Sequence, residues 1–158
     1  MKIELVRALT MVALVVVFAV ATAVGSANPQ AADKVVANIP FEFSVGYKTM
    51  PAGEYSVKSI LSASNALLIQ SADGKRSALR LSEATNRAKD RGPARLVFHR
   101  YGERYFLAQV WNGAENTGRQ LIKSQEERAI ERELAGLASA DNPARASYET
   151  VEIVAVLR

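Results

Sequence analysis

The chain contains no cysteine, and this absence removes several classes of protein at once. A disulfide framework, thiol catalysis and metal sites with cysteine ligands are all excluded. The chain also has a single histidine, His99, with no second metal-ligating side chain at a recognisable spacing from it. The sequence therefore predicts no metal site, and it predicts a domain that is stabilised by core packing alone.

Motifs for catalysis and cofactor binding are missing as well. The sequence has no Gly-x-Ser-x-Gly nucleophile elbow, no P-loop and no glycine-rich dinucleotide fingerprint. His99 lacks the partners of a catalytic triad, and no pair of carboxylates is distinguished by its spacing. We therefore expect no catalytic residue and no cofactor. A hydrolase or isomerase that uses His99 or scattered carboxylates is the least favoured alternative.

The N-terminal residues have the layout of a secretory signal peptide. Lys2 and Arg7 provide a positive start, and Ala8–Val24 is an almost unbroken apolar run. The small residues Gly25-Ser26-Ala27 are of the kind that signal peptidase recognises, so the sequence predicts cleavage after Ala27. An uncleaved N-terminal membrane anchor is the alternative, because the apolar run is close to the shortest length that spans a bilayer.

This layout divides the chain into a signal peptide, residues 1–27, and a single β-rich domain, residues 28–158. The protein is expected to be exported, either to the periplasm or out of the cell. Membrane contact is then limited to the signal segment before cleavage. Export also argues against nucleic acid as a partner.

The clearest structural pattern in the chain is a β-hairpin formed by Arg95–Tyr101 and Arg104–Trp111. Both runs are rich in the branched and aromatic residues that favour strands, and Gly102-Glu103 suits a two-residue turn. The turn predicts the cross-strand pairs Tyr101–Arg104, Arg100–Tyr105, His99–Phe106, Phe98–Leu107, Val97–Ala108 and Leu96–Gln109. Neither face of this hairpin is cleanly polar. We therefore expect it to lie centrally in the sheet, with a second layer packed over its outer face.

Shorter strand patterns flank the hairpin, separated by turns and loops. They cover Val35–Val45, Glu54–Ile60, Ala66–Gln70, Arg76–Ser82, Arg119–Lys123 and Tyr148–Leu157, with Glu83–Pro93 as a loop. Pro40 cannot donate a ladder hydrogen bond and so predicts an edge or a bulge. Together these patterns predict a mainly β fold, a single antiparallel β-barrel or sandwich of about seven to eight short strands. The final strand, about residues 148–157, is expected to lie beside the first.

One helix is predicted, over about residues 125–136. Ser124 and Glu127 have the spacing of a capping box, and Ala129, Ile130, Leu134 and Leu137 recur at helical spacing. The acidic residues Glu126, Glu127 and Glu131 are interpreted as a solvated helix face. The helix is expected to cover either an open end of the sheet or the outer face of the hairpin.

Several of these stretches resemble a group of uncharacterised exported bacterial proteins. The resemblance rests on the signal segment, on residues 39–43 (IPFEF), 51–55 (PAGEY) and 96–102 (LVFHRYG), and on the helix start at residues 124–128 (SQEER). It extends over most of residues 28–158. It implies one exported β-rich domain and assigns no functional residue.

Carboxylates are scarce in the stretch Lys75–Arg104, which holds nine Lys or Arg residues against three acidic ones in a chain of net charge +4. Arg95, Arg100 and Arg104 form the candidate contact surface, for an anionic envelope component or for a protein partner. The plainer interpretation is that these arginines are solubilising strand positions. The leading hypothesis is a non-enzymatic cell-envelope protein with a binding or structural role. The main alternative is a small barrel that carries an apolar ligand.

Overall fold

Eleven β-strands and one α-helix are present in the computed structural model, which describes residues 34–60, 65–86, 92–114, 117–137 and 148–158. The strands are β1 (Val35–Ile39), β2 (Phe43–Val45), β3 (Lys48–Met50), β4 (Gly53–Ser59), β5 (Ala66–Ser71), β6 (Ser77–Asn86), β7 (Arg95–Tyr101), β8 (Arg104–Trp111), β9 (Thr117–Leu121), β10 (Glu149–Val154) and β11 (Val156–Leu157). The helix, α1, is Gln125–Leu137. The prediction of a mainly β fold with one helix is confirmed.

The strands form one mixed sheet in the order β10-β7-β8-β9-β6-β5-β4-β1-β11. Neighbours in this order are antiparallel, and one parallel pair, Ser44 with Phe106, joins β2 to β8. Over the described residues this path is not closed into a barrel, which sets aside the closed-barrel alternative. At the two ends of the path, β10 pairs with β7 and β11 pairs with β1, and no pairing among the described residues joins β10 to β11. These ends are successive segments of the C-terminal strand, separated only by Ala155.

Strand β6 passes from one half of the sheet to the other. Its first half, Ser77–Leu81, pairs with β5, and its second half, Ser82–Asn86, pairs with β9. The expected loop over Glu83–Pro93 is therefore wrong in its first four residues, which continue the strand. The C-terminal strand makes a similar change of partner at Ala155, whose N–H donates to the Ala94 carbonyl at 2.8 Å. The predicted pairing of the last strand with the first is confirmed in β11.

The predicted strand over residues 35–45 is interrupted at Pro40, where a missing N–H was expected to disturb the ladder. Strand β1 ends at Ile39, and β2 begins at Phe43. Ile39, Phe43 and Val45, on either side of this interruption, are each 1% exposed. The break lets β2 leave β1 and pair with β3 and β8, which the sequence pattern did not predict.

The central hairpin has the predicted turn and four of the six predicted cross-strand pairs. The four pairs closest to Gly102-Glu103 are confirmed, from Tyr101–Arg104 to Phe98–Leu107. A bulge between Val97 and Phe98 then shifts the pairing, so that Val97 lies opposite Gln109 and Leu96 opposite Val110. The two outermost predicted pairs are wrong, because a turn fixes the register only until an extra residue enters one strand.

Aromatic side chains join the two halves of the sheet in the core. The ring of Phe43 meets Tyr55 of β4 edge-on at 5.0 Å between centroids and Phe98 of β7 at 5.5 Å. Edge-to-face geometry at this separation is favourable for aromatic pairs. Phe43 and Phe98 are at most 1% exposed, so this contact lies at the centre of the packed interior.

Candidate functional site

Helix α1 covers the outer face of the central hairpin, which is one of the two positions expected for it. Successive side chains of β7 alternate between the faces of the sheet. Leu96 and Phe98 therefore enter the core, whereas His99 and Tyr101 lie on the helix side and contact α1 through Glu127. His99 and Glu127 are 6% and 4% exposed, and His99 Nδ1 lies 2.7 Å from Glu127 Oε1.

A group of polar side chains surrounds this pair, and we call it the His99 cluster. It consists of His99, Tyr101, Lys123, Glu127, Glu131 and Tyr148. The Tyr101 hydroxyl donates to Glu131 Oε1 at 2.8 Å, and Lys123 Nζ donates to the same carboxylate. The Tyr148 ring stacks on the His99 imidazole, with 3.8 Å between centroids. The cluster therefore connects α1, β7 and the start of the C-terminal strand.

The interpretation of Glu127 and Glu131 as a solvated face is wrong, because both carboxylates point toward the sheet. A spacing of two residues on a strand covers about 6.6 Å, and four residues on a helix cover about 6 Å. The pair His99 and Tyr101 can therefore meet the pair Glu127 and Glu131. This match of spacings was the signal in the sequence, but it has meaning only once the helix is known to lie on the hairpin.

Ser124 caps the helix as predicted, since the Glu127 N–H donates to Ser124 Oγ at 3.0 Å. In a full capping box, the side chain at the position of Glu127 returns to the cap residue. Here the Glu127 carboxylate receives its hydrogen bonds from His99 and Tyr101. The backbone of Glu127 thus satisfies the cap, while its side chain attaches the helix to the sheet. The helix also continues through Gly136 to Leu137, one residue beyond the predicted end.

Replacing the cap gives a first prediction. Ser124→Ala is expected to lower the free energy of unfolding by about 1 kcal/mol, because the Glu127 N–H loses its acceptor. Ser124→Asn keeps a capping oxygen and is expected to stay within a few tenths of a kcal/mol of the parent. Urea unfolding of the three proteins measures both values. Equal stability of the parent and the alanine variant would show that the cap contributes nothing.

Burial, hydrogen bonds and neighbouring charges shift the pKa values of two side chains in the His99 cluster. Burial, together with hydrogen bonding to Glu131 and the charges of Glu127 and Glu131, raises the pKa of Tyr101 above its ordinary value. Burial alone would also raise the pKa of Glu131. Hydrogen bonds from Lys123 and Tyr101 and the Lys123 charge outweigh burial, so the pKa of Glu131 lies below its ordinary value.

A lowered pKa means that ionised Glu131 stabilises the folded state, and this contribution is lost in acid. It is fully present above the ordinary carboxyl pKa of 4.5 and disappears as the pH falls through the lower folded value. We therefore expect Glu131→Gln to be less stable than the parent at about pH 7, with the difference shrinking toward about pH 3. Urea unfolding across this range checks it, with Glu133→Gln, on an exposed position of the same helix, as control. A difference that does not change with pH would contradict the assignment.

The three arginines of the predicted contact surface are not brought together. Alternation along β7 places Arg100 on the face opposite to Arg95, and Arg100 lies over its cross-strand partner Tyr105. Arg95 is 7% exposed, with its guanidinium over the Trp111 ring. Their carboxylate partners are Glu152 for Arg95, Glu149 and Glu103 for Arg100, and Glu126 for Arg104. Most of these carboxylates belong to β10 and α1, far from the arginines in sequence.

A cleft of about 450 Å³ opens where several strands end, and we call it the strand-end cleft. It is lined by Val35, Val57, Lys58, Ser59, Leu67, Ala84, Val110, Asn112, Thr117, Gly118 and Arg119. Val35, Val57, Leu67 and Val110 are also core residues, each at most 6% exposed. These apolar side chains form the inner wall of the cleft, and polar side chains make up about half of its accessible lining.

Gly118 explains how β8 and β9 meet beside this cleft. A Cβ atom at Gly118 would lie 2.6 Å from the Trp111 ring, so only glycine allows the indole to pack against β9 there. Trp111 is 6% exposed, and its Nε1–H donates to Gln109 Oε1 at 3.0 Å. The sequence pattern did not predict a cleft here, because the lining residues come from six separate strands.

Among the described residues, no group of three or more His, Asp or Glu side chains is arranged to hold a metal ion. The single helix in this part of the chain is too short and too polar to cross a membrane. No protein-family model, curated protein or solved structure matches this sequence. The described residues therefore define the class of the protein as mainly β with one helix.

Proposed function

We propose that this protein is an exported, non-enzymatic binding protein of the cell envelope, which holds a small and mainly apolar ligand in the strand-end cleft. The cleft itself carries the proposal. Its volume of about 450 Å³ lies within the range of small-molecule pockets, about 300–1,000 Å³. Its lining places Val35, Val57 and Leu67 next to polar side chains, so an apolar group and a polar group of one ligand can both find partners there.

The arrangement of charges supports the cleft over the hairpin arginines as the contact site. A surface that attracts an anionic polymer needs uncompensated positive charge. Arg95, Arg100 and Arg104 each lie beside a glutamate, which reduces the field they present to solvent. Their aromatic neighbours fit the plainer interpretation that these arginines are structural.

The pair His99–Glu127 is the observation that favours an enzyme, because a carboxylate that orients a histidine is a common catalytic arrangement. A general base must also reach a substrate. Both residues are less than one-tenth exposed, and Tyr148 stacks on the imidazole. We therefore assign the pair to attachment of α1, and enzymatic activity is the second candidate.

Native mass spectrometry of the protein purified from the cell envelope without delipidation tests the binding function. The parent is expected to retain a small apolar molecule. Ala84→Trp is expected to lose it, because Ala84 lines the cleft at an exposed position where an indole can fill the opening without disturbing the core. Leu79→Trp is the matched control, since Leu79 is 59% exposed on the same strand and does not line the cleft.

Retention of the molecule by Leu79→Trp but not by Ala84→Trp supports the cleft. A bare parent protein would overturn the binding function, and equal retention in both variants would show that the molecule is held outside the strand-end cleft. The same spectra report export, because cleavage after Ala27 gives a polypeptide that begins at Asn28. A mass that includes residues 1–27 would favour the uncleaved anchor instead.

A further inference from the structure

We infer that the ligand of the strand-end cleft is a single-chain amphiphile with an anionic head group, an inference that rests on the proposed binding function. The inference about the head group rests on the positive charges in the lining of the cleft. Lys58 and Arg119 are the charged residues that line the cleft, and no carboxylate is among its lining residues. An apolar chain would lie against the valine and leucine walls, with the anion beside the cations.

Arg119 is the more telling of the two cations. It is half-buried on β9, and its cross-strand partners Val110 and Ala84 both line the cleft. Its Nη1 donates to Asn65 Oδ1 at 3.0 Å, which is a neutral acceptor. Among the described residues no carboxylate lies within ion-pair distance of Arg119, in contrast to the three hairpin arginines.

This difference matters because a half-buried charge interacts more strongly with a counter-ion than an exposed one. The guanidinium of Arg119 is held by an amide that positions it without neutralising it. A carboxylate or phosphate head group would supply the missing negative charge in a charge-assisted hydrogen bond. A cationic head group would meet repulsion from both Arg119 and Lys58.

The apolar side chains of the cleft determine how much the alkyl chain of the ligand adds to the binding affinity. Each methylene group removed from water strengthens binding by about fourfold. We therefore expect affinity to rise by about this factor for each added methylene along a series from hexanoate to decanoate. The rise should stop when the chain fills the cleft, whose volume of about 450 Å³ limits the length accepted.

Isothermal titration calorimetry tests which head-group charge the cleft prefers. The three probes, decanoate, decanol and decyltrimethylammonium, have the same alkyl chain and differ in the head group. Decanoate is expected to bind most tightly, by about tenfold or more over decanol, because it gains a charge-assisted hydrogen bond. Arg119→Gln should weaken decanoate by about the same factor and leave decanol within about twofold. Arg104→Gln is the matched control, since Arg104 is ion-paired with Glu126 outside the cleft.

The outcomes separate this inference from the proposed function. Equal binding of decanoate and decanol, or no effect of Arg119→Gln on decanoate, overturns the anionic head group but leaves a binding cleft. Preferential binding of the cationic probe does the same. Failure of all three probes to bind overturns both. Binding of decanol to Arg119→Gln shows that this variant is folded, and decyl phosphate in place of decanoate distinguishes the two anionic head groups.

Discussion

Replacing His99 by leucine is expected to lower the free energy of unfolding by about 3–5 kcal/mol, which is a large fraction of the stability of a small domain. The Glu127 carboxylate is 4% exposed and has the His99 ring nitrogen at 2.7 Å as its closest partner. Without the imidazole, the buried carboxylate keeps one side-chain hydrogen bond from the described residues, the longer one from the Tyr101 hydroxyl at 3.4 Å. Leaving a charge buried and poorly paired costs more than the pair itself contributes.

The double variant H99L/E127L makes this explanation specific. If the cost comes from the isolated carboxylate, removing the carboxylate as well should restore part of the lost stability. We expect the double variant to be more stable than His99→Leu, although both substitutions touch the same buried contact. Losses that simply add in the double variant would contradict the role of the pair and would indicate that packing alone is affected.

Trp111 is a convenient probe for this measurement, because it is the single tryptophan of the chain and is 6% exposed. Its fluorescence reports unfolding of the hairpin in urea. Hydrogen exchange of the α1 amides adds a local readout, since helices can open separately from the strands beneath them. In His99→Leu the α1 amides should lose more protection than the amides of β4 and β5, which lie away from the cluster.

The predictable part of the fold is the part fixed by neighbours in sequence. The turn at Gly102-Glu103, the four hairpin pairs beside it and the cap at Ser124 all depend on residues within about one turn or one hairpin. The bulge at Val97 was not predictable in this way. It depends on how β7 and β8 fit their outer neighbours β10 and β9, and the turn carries no information about them.

The candidate sites could not be predicted from local sequence either, because they also depend on contacts between residues that are far apart in the sequence. Glu127 has a sequence context typical of a solvated helix turn, yet it is buried because α1 packs on the hairpin. The strand-end cleft joins Val35, Leu67 and Val110, which are brought together only by the order of strands in the sheet. The two cations of its lining, Lys58 and Arg119, lie outside the basic stretch Lys75–Arg104 that the sequence pattern indicated. Their arrangement around one cleft could be seen only once the order of the strands in the sheet was known.

Gly113→Ala is expected to lower the free energy of unfolding by about 3 kcal/mol, and Gly102→Ala by only about 1–2 kcal/mol. Both glycines have positive φ, +78° at Gly113 and +62° at Gly102, so an alanine is strained at either position. Only Gly113 is also crowded. A Cβ atom there would lie 2.6 Å from the Ala94 backbone nitrogen, whereas nothing lies within 4 Å of one at Gly102.

The comparison therefore separates backbone strain from steric crowding, and crowding at Gly113 has a consequence for the sheet. The Ala94 carbonyl accepts the hydrogen bond from Ala155, at the point where β10 gives way to β11. A shift of Ala94 would disturb the place where the C-terminal strand changes partner from β7 to β1. Urea unfolding of both variants measures the difference, and hydrogen exchange should show lost protection at Ala155 only in Gly113→Ala. Equal losses of stability in the two variants would mean that strain alone sets the cost, and that Ala94 can move without weakening the change of partner.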